Sequence, residues 1–295
     1  MSDKQIFGLS AALVTPFAAD GAVDFPRLVM HARHVLANGC DSVTLFGTTG
    51  EGFSIGMRDR AAMLGALAGA GLDFATQLNA GVSATTIEDA ADQSRLALDS
   101  GARGLLFAPP YYLKGVDDEG LYAWFSRAIE AIGASARGII LYHIPGQTAV
   151  NISLDLVGRL KKAFPGVIAG VKDSSGEWAT AEAFLKAHGE LAILIGDERQ
   201  LARAVRSGAE GSICGLANFA SALLRPLIYE GRDDERVNRV VDLVCAYPVL
   251  PAVKALVGHI HDDPGFGAMR PPVGALDAEN KRTLSKAFDA IMAGG

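Results

Sequence analysis

Short runs rich in Val, Ile, Leu and Phe alternate with longer segments whose apolar residues recur every three or four positions, from residue 9 to about residue 230. Buried strands alternating with amphipathic helices are the pattern of repeated βα units around a parallel sheet. The strands predicted are residues 9–17, 42–47, 75–81, 104–109, 138–144, 167–172, 192–196 and 211–216. Helical spacing marks residues 25–38 and 201–207, and Gly39, Gly101 and Gly208 stand where a left-handed cap would close a helix.

Eight parallel strands, each followed by a helix, close most economically into an α/β fold of the (β/α)8 TIM barrel type, about 250 residues in its usual size. Residues 1–230 are expected to form the barrel and residues 231–295 a helical C-terminal extension packed on it. The alternative, an open doubly wound sheet, is disfavoured because residues 15–21, the first βα turn, carry no GxGxxG phosphate turn.

A length of 295 residues with 49% hydrophobic content allows a large buried core. The net charge of −6 comes without a block of like charges, so neither nucleic acid nor a membrane surface is an expected partner. The opening MSDKQIFGLS lacks a basic segment followed by a long apolar run, and a cytoplasmic location is expected. Cys40, Cys214 and Cys245 are widely spaced, with no CxxC pair, and read as core thiols.

In such a barrel the chemistry sits at the C-terminal ends of the strands and in the loops that follow. There the chain places Gly47-Thr48-Thr49-Gly50-Glu51, Tyr111-Tyr112, Tyr142-His143, Lys172-Asp173-Ser174 and Gly196-Asp197-Glu198. Of nine lysines, Lys172 ends an apolar strand. Burial disfavours an ammonium and promotes the neutral amine, a nucleophile able to form a Schiff base with a ketone. The plainer reading is a snorkelling lysine paired with Asp173 or Glu51. Tyr142, ending the neighbouring strand, is placed to carry protons, although a packed core tyrosine would look the same in sequence. Thr48 and Thr49, flanked by glycines, offer hydroxyls and backbone N–H groups to a carboxylate, or form an ordinary turn.

Together GTTGE (47–51), PPYY (109–112), LYHIP (141–145) and GVKDSS (170–175) resemble the dihydrodipicolinate synthase and N-acetylneuraminate lyase family. The opening ALVTPF (12–17), LPAVKAL (250–256) and RPP (270–272) extend the resemblance over almost the whole chain. It implies a lyase acting on pyruvate or another 2-oxo acid and an aldehyde, without metal or organic cofactor, through a covalent imine on Lys172. It further implies Tyr142 as the catalytic phenol, Thr48 and Thr49 as holders of the 2-oxo acid carboxylate, and a proton relay from Thr48 to Tyr142 through Tyr112. In the family that last tyrosine reaches into a neighbouring subunit, so a homotetramer built as a dimer of dimers is implied.

The substrate is less constrained. Synthases condensing pyruvate with aspartate semialdehyde carry an arginine where this chain has Gln147, and a glutamine lacks the charged bidentate grip. Asp197 and Glu198 stand where sialic-acid lyases hold the polyol tail, whereas Gly215 and His143 depart from those lyases. A 2-keto-3-deoxy sugar acid or 4-hydroxy-2-oxoglutarate is therefore the expected substrate type. Dihydrodipicolinate synthase, a keto-deoxy acid dehydratase and a non-catalytic 2-oxo acid binder are the alternatives. Gly47, His143, Gln147, Ser174, Gly196 and Ile213 complete the expected lining.

Two histidine groupings invite a metal reading. His259, His261, Asp262 and Asp263 run into Pro264-Gly265 and read instead as a solvated helix end. His31 and His34, one helical turn apart with no third ligand nearby in sequence, read as surface or helix-packing residues.

Overall fold

The computed structural model describes residues 6–294, so part of the opening segment in which no signal pattern is found lies outside the described residues. Eight parallel strands close into one barrel in chain order. They are β1 (Gly8–Ala12), β2 (Ser42–Leu45), β3 (Leu78–Val82), β4 (Gly104–Phe107), β5 (Ile139–His143), β6 (Ile168–Asp173), β7 (Ala192–Ile195) and β8 (Gly211–Cys214). β8 pairs with β1 to complete the ring, which leaves no sheet edge. The (β/α)8 expectation holds.

The predicted strand bounds differ most from the real ones at the end of β1 and the start of β3. β1 stops at Ala12, because residues 13–17 include Pro16, which has no N–H to donate, and turn over the barrel rim instead. Ahead of β3 the chain makes a single helical turn, Phe74–Gln77, with the Asp73 carboxylate accepting the Ala75 N–H. The two marked helices run Phe25–Ala37 and Leu201–Arg206, and Gly39, Gly101 and Gly208 all take positive φ.

The strands bury both faces. Ala12, Leu106, Ile140, Leu194 and Ile213 fill the barrel interior, while Val43, Leu105, Leu141, Val171 and Ile193 face the helical layer. One register shift matters for function. Ile139 is opposite Ile168, but Ile140 is opposite Gly170, so Ala169 is an extra residue on β6. A one-residue slip exchanges the faces of a strand. The bulge thereby sets Lys172, not Val171, beside Tyr142.

After helix Ser221–Tyr229, helices Glu235–Cys245, Val249–Ile260 and Ala278–Ala293 pack against one another. Among the described residues no single helix is long and apolar enough to cross a membrane. His261, at the end of the middle helix, ties the extension to the barrel, with its Nε2 3.0 Å from His31 Nδ1. His31 Nε2 lies 3.1 Å from Asn218 Oδ1, an oxygen that also accepts the Val14 N–H. Nε2 of His31 therefore carries the proton, and Nδ1 accepts from His261. The third imidazole that the sequence reading lacks near His31 and His34 is thus His261, whose ring centroid is 4.5 Å from that of His34. His259 instead meets Asp289, and Asp263 holds Arg27. Cys40 and Cys214 are core thiols, whereas Cys245 is exposed, a correction to the sequence reading.

Candidate active site

Tyr142 and Lys172 occupy adjacent positions on β5 and β6 and point into the mouth of the barrel, with only 6% and 5% of their surface exposed. Lys172 Nζ lies 3.3 Å from the Tyr142 hydroxyl and 4.3 Å from its ring centroid. The Thr48 hydroxyl is 3.4 Å from the same phenolic oxygen. Tyr142 therefore bridges the amine and the threonine.

The ion-pair reading of Lys172 is not what the fold adopts. Asp173 accepts the Ser175 N–H and hydroxyl, at 3.0 and 3.1 Å. Glu51 pairs with Lys254. Among the described residues no carboxylate lies within ion-pair distance of Lys172.

The loop carrying Thr48 and Thr49 is tightly constrained. Phe46 and Glu51, on either side of the threonines, both take left-handed φ, at 58° and 56°, a strained choice for bulky side chains. Gly52 is required there, because a Cβ would come within 1.9 Å of the Phe46 carbonyl oxygen. Buried Arg60 donates to the carbonyls of Gly52, Ile55 and Gly81 at 2.9, 3.0 and 2.9 Å, and burial pushes its guanidinium pKa down to about 10. On the other side Lys254 Nζ donates to Glu51 and to the Thr15 carbonyl, both at 2.8 Å. The Thr15 hydroxyl in turn donates to Gly50. Arg270 completes the clamp through its N–H to Glu51 and its guanidinium to Asp59. Lys254, Arg60 and Arg270 are absent from the sequence-predicted site; Lys254 and Arg270 lie inside quoted motifs, the only signal available.

A cavity of about 320 Å³ opens above Lys172, and Thr48, Thr49, Gln147, Ser174, Gly196, Asp197, Glu198 and Ile213 all border it. Gly196 has a steric reason: a Cβ there would sit 2.0 Å from Ser174 Oγ. A second cavity of about 310 Å³ lies on the far side of Tyr142, bordered by Gly47, Phe53 and Tyr111 and sharing Thr48, Tyr142 and Gln147 with the first.

His143 and Tyr112 do not line the cavities of their own chain. His143 faces outward, its Nδ1 accepting the Ile152 N–H at 3.1 Å and its ring packed edge-on against Phe184. Successive residues of a strand face opposite sides, so Tyr142 inside requires His143 outside. Burial lowers the His143 pKa and raises that of Asp173, whose Oδ1 is 4.0 Å away. Tyr112 is 87% exposed with φ of 90° and borders neither cavity. Within one chain Thr48 therefore meets Tyr142 directly rather than through Tyr112.

Asp197 and Glu198 border the cavity but are engaged by protein groups. Asp197 Oδ1 accepts the backbone and Nε protons of Arg199, and Oδ2 accepts from Nη2. Glu198 Oε1 accepts the Leu216 N–H at 3.0 Å, and burial raises its carboxyl pKa.

A sequence model of the Dihydrodipicolinate synthetase family matches residues 5–291. An uncharacterized DapA-like lyase of Chloroflexus aurantiacus is 33% identical, covering 97% of each chain. The crystal structure of dihydrodipicolinate synthase from Agrobacterium tumefaciens is 52% identical with a TM-score of 0.94, over 97% of this chain and 99% of that one. A variant of the 2-keto-3-deoxygluconate aldolase of Sulfolobus solfataricus, 22% identical with a TM-score of 0.85 over 97% of both chains, shares the fold.

Proposed function

Because the chain belongs to the Dihydrodipicolinate synthetase family and is a lyase, we propose that it is a Schiff-base aldolase joining a 2-oxo acid such as pyruvate to an aldehyde, or cleaving the product. The observation that carries this is the Tyr142 hydroxyl standing 3.3 Å from Lys172 Nζ and 3.4 Å from the Thr48 hydroxyl. An amine without a paired carboxylate, next to a phenol, is what imine formation requires.

In the condensation direction Lys172 Nζ adds to the C2 carbonyl, and the resulting oxygen leaves as water with protons passed by Tyr142. The iminium draws electrons from C3, which loses a proton to the Tyr142 oxygen, left as a phenolate by the departure of water, and so gives an enamine. That carbon bonds to the aldehyde carbon, and the aldehyde oxygen takes a proton from Tyr142 to become a hydroxyl. Water then releases the 4-hydroxy-2-oxo acid and restores the amine. The imine itself is the electron sink, so the scheme uses no organic cofactor. Thr48 and Thr49 hold the 2-oxo acid carboxylate, the role their N–H groups and hydroxyls suit.

Among cleavage substrates, 2-keto-3-deoxy sugar acids and 4-hydroxy-2-oxoglutarate fit this chemistry. The synthase reaction with aspartate semialdehyde is the second reading, favoured by the 52% identity to the Agrobacterium tumefaciens protein and opposed by Gln147 at the cavity rim. The exposed side chains of Tyr112 and Leu113 support association of copies into a homotetramer.

The test is reductive trapping. Incubation with pyruvate and borohydride should raise the intact mass by pyruvate less water plus two hydrogens. No adduct, or an adduct retained in Lys172→Ala, overturns the reading.

A further inference from the structure

The part of the cavity beyond Lys172 has an unusual balance of charge. Lys172 and Arg199 are its only bases among the described residues. Lys172 is the reacting amine. Arg199 is held by Asp197 through Nε and Nη2, at 3.0 and 2.9 Å, and by Asp242 through Nη1 at 2.8 Å. No free cation is left to meet a carboxylate on a second substrate. The acids are engaged as well, Asp197 through both oxygens by Arg199 and Glu198 through Oε1 by the Leu216 N–H.

Apart from Gln147, Ser174 and Ser175, what remains of the outer wall is apolar. Ile213 comes from β8, while Val244 and Cys245 come from helix Glu235–Cys245 and Val249, Leu250 and Val253 from helix Val249–Ile260. Gly215 leaves further room, since a Cβ there would meet Thr49 and Val253 only at 3.7 Å. Ser174 follows Lys172 by two residues and lies beside Gly196.

A carboxylate moved from water to such a wall loses hydration without gaining a partner. A polyol chain loses a water hydrogen bond at each hydroxyl that finds its acceptors already taken. A hydrocarbon chain gains from the transfer.

We propose that the second substrate is a neutral aldehyde whose chain beyond the carbonyl is mostly hydrocarbon, packed against the two helices of the C-terminal extension. This rests on the imine reading and selects among its acceptors. Of the acceptors that the imine chemistry by itself admits, it sets aside glyoxylate and aspartate semialdehyde as anions and glyceraldehyde as a polyol, and with them 4-hydroxy-2-oxoglutarate and the 2-keto-3-deoxy sugar acids as preferred substrates.

The experiment compares kcat/KM for addition of pyruvate to butanal, 3-methylbutanal, glyceraldehyde, glyoxylate and aspartate semialdehyde, alongside the borohydride trap. The hydrocarbon aldehydes should lead by at least about tenfold, the discrimination that a mismatched pocket group gives. Glyceraldehyde or either anion used as well as butanal would overturn the proposal. Val249→Arg, at an exposed position of the wall, should raise kcat/KM for glyoxylate by about tenfold and lower it for butanal. An unchanged ratio in that variant also overturns it. If the pyruvate adduct is absent, the imine reading falls with it; an adduct with the reverse preference sinks the acceptor class alone.

Discussion

Lys254 Nζ lies 2.8 Å from Glu51 Oε1, and neither side chain has any exposed surface. The pair joins a helix of the C-terminal extension to the loop that presents Thr48 and Thr49, across 203 residues of chain. Burial is the main influence lowering the Lys254 pKa, and Glu51 opposes it.

Removing one member of a buried pair leaves the other charge uncompensated, at a cost of roughly 3–5 kcal/mol. Lys254→Met should therefore lose stability of that order in urea unfolding. The double variant Lys254→Met with Glu51→Gln should recover part of the loss. If the double variant is as unstable as the single one, Glu51 is not the group left stranded.

Tyr142 touches both the amine and Thr48, so its hydroxyl is the proton carrier of the proposed reaction. Tyr142→Phe keeps the ring that packs in the barrel and removes the phenol. The pyruvate adduct should still form, more slowly, while kcat falls by about 10²–10⁴, the usual contribution of a positioned acid or base. Single-turnover trapping and steady-state rates separate the two effects, and an undiminished kcat excludes the proton role.

The barrel was legible in the alternation of apolar runs because each strand is buried on both faces and each helix on one. Lys172 and Tyr142 were legible because a polar residue ending an apolar strand is conspicuous. The side on which a strand residue falls was less so. Parity on β6 depends on the single extra residue Ala169, which no period in the sequence announces. His143 is different: with Tyr142 assigned inward, alternation already turns its neighbour out, and motif resemblance overrode that geometry. The Glu51–Lys254 and His31–His261 contacts join positions more than 200 residues apart, which local pattern does not reach.

The His31–His261 junction makes stability depend on pH. Burial chiefly, with the nearby His261 and His34 adding to it and the Asn218 hydrogen bond opposing, pushes the His31 pKa down to about 3. In the unfolded chain the imidazole titrates near 6.5. Between those values the unfolded chain binds a proton that the folded chain refuses, so stability is fully present above about pH 6.5 and falls as the pH falls. The slope from this group is at most about 1.4 kcal/mol per pH unit. Urea unfolding at about pH 7.5 and about pH 5 should show the loss. His31→Gln should be less stable at the higher pH and show a shallower decline; an equal decline assigns the effect to other groups.

Gln147 is exposed at the rim of both cavities, on the short helix Pro145–Thr148. Its amide is neutral, whereas a guanidinium at the same place would offer two parallel N–H donors and a full charge to a carboxylate. The position is open enough to accept the larger side chain without displacing the core. Gln147→Arg should therefore raise kcat/KM for aspartate semialdehyde by about tenfold or more, mainly through KM, because the new contact acts on the bound substrate as well as on the transition state. Butanal carries no carboxylate and should gain nothing. A parallel rise for both aldehydes would point to a general change in the cavity, and no rise for the semialdehyde would show that its carboxylate does not approach this rim.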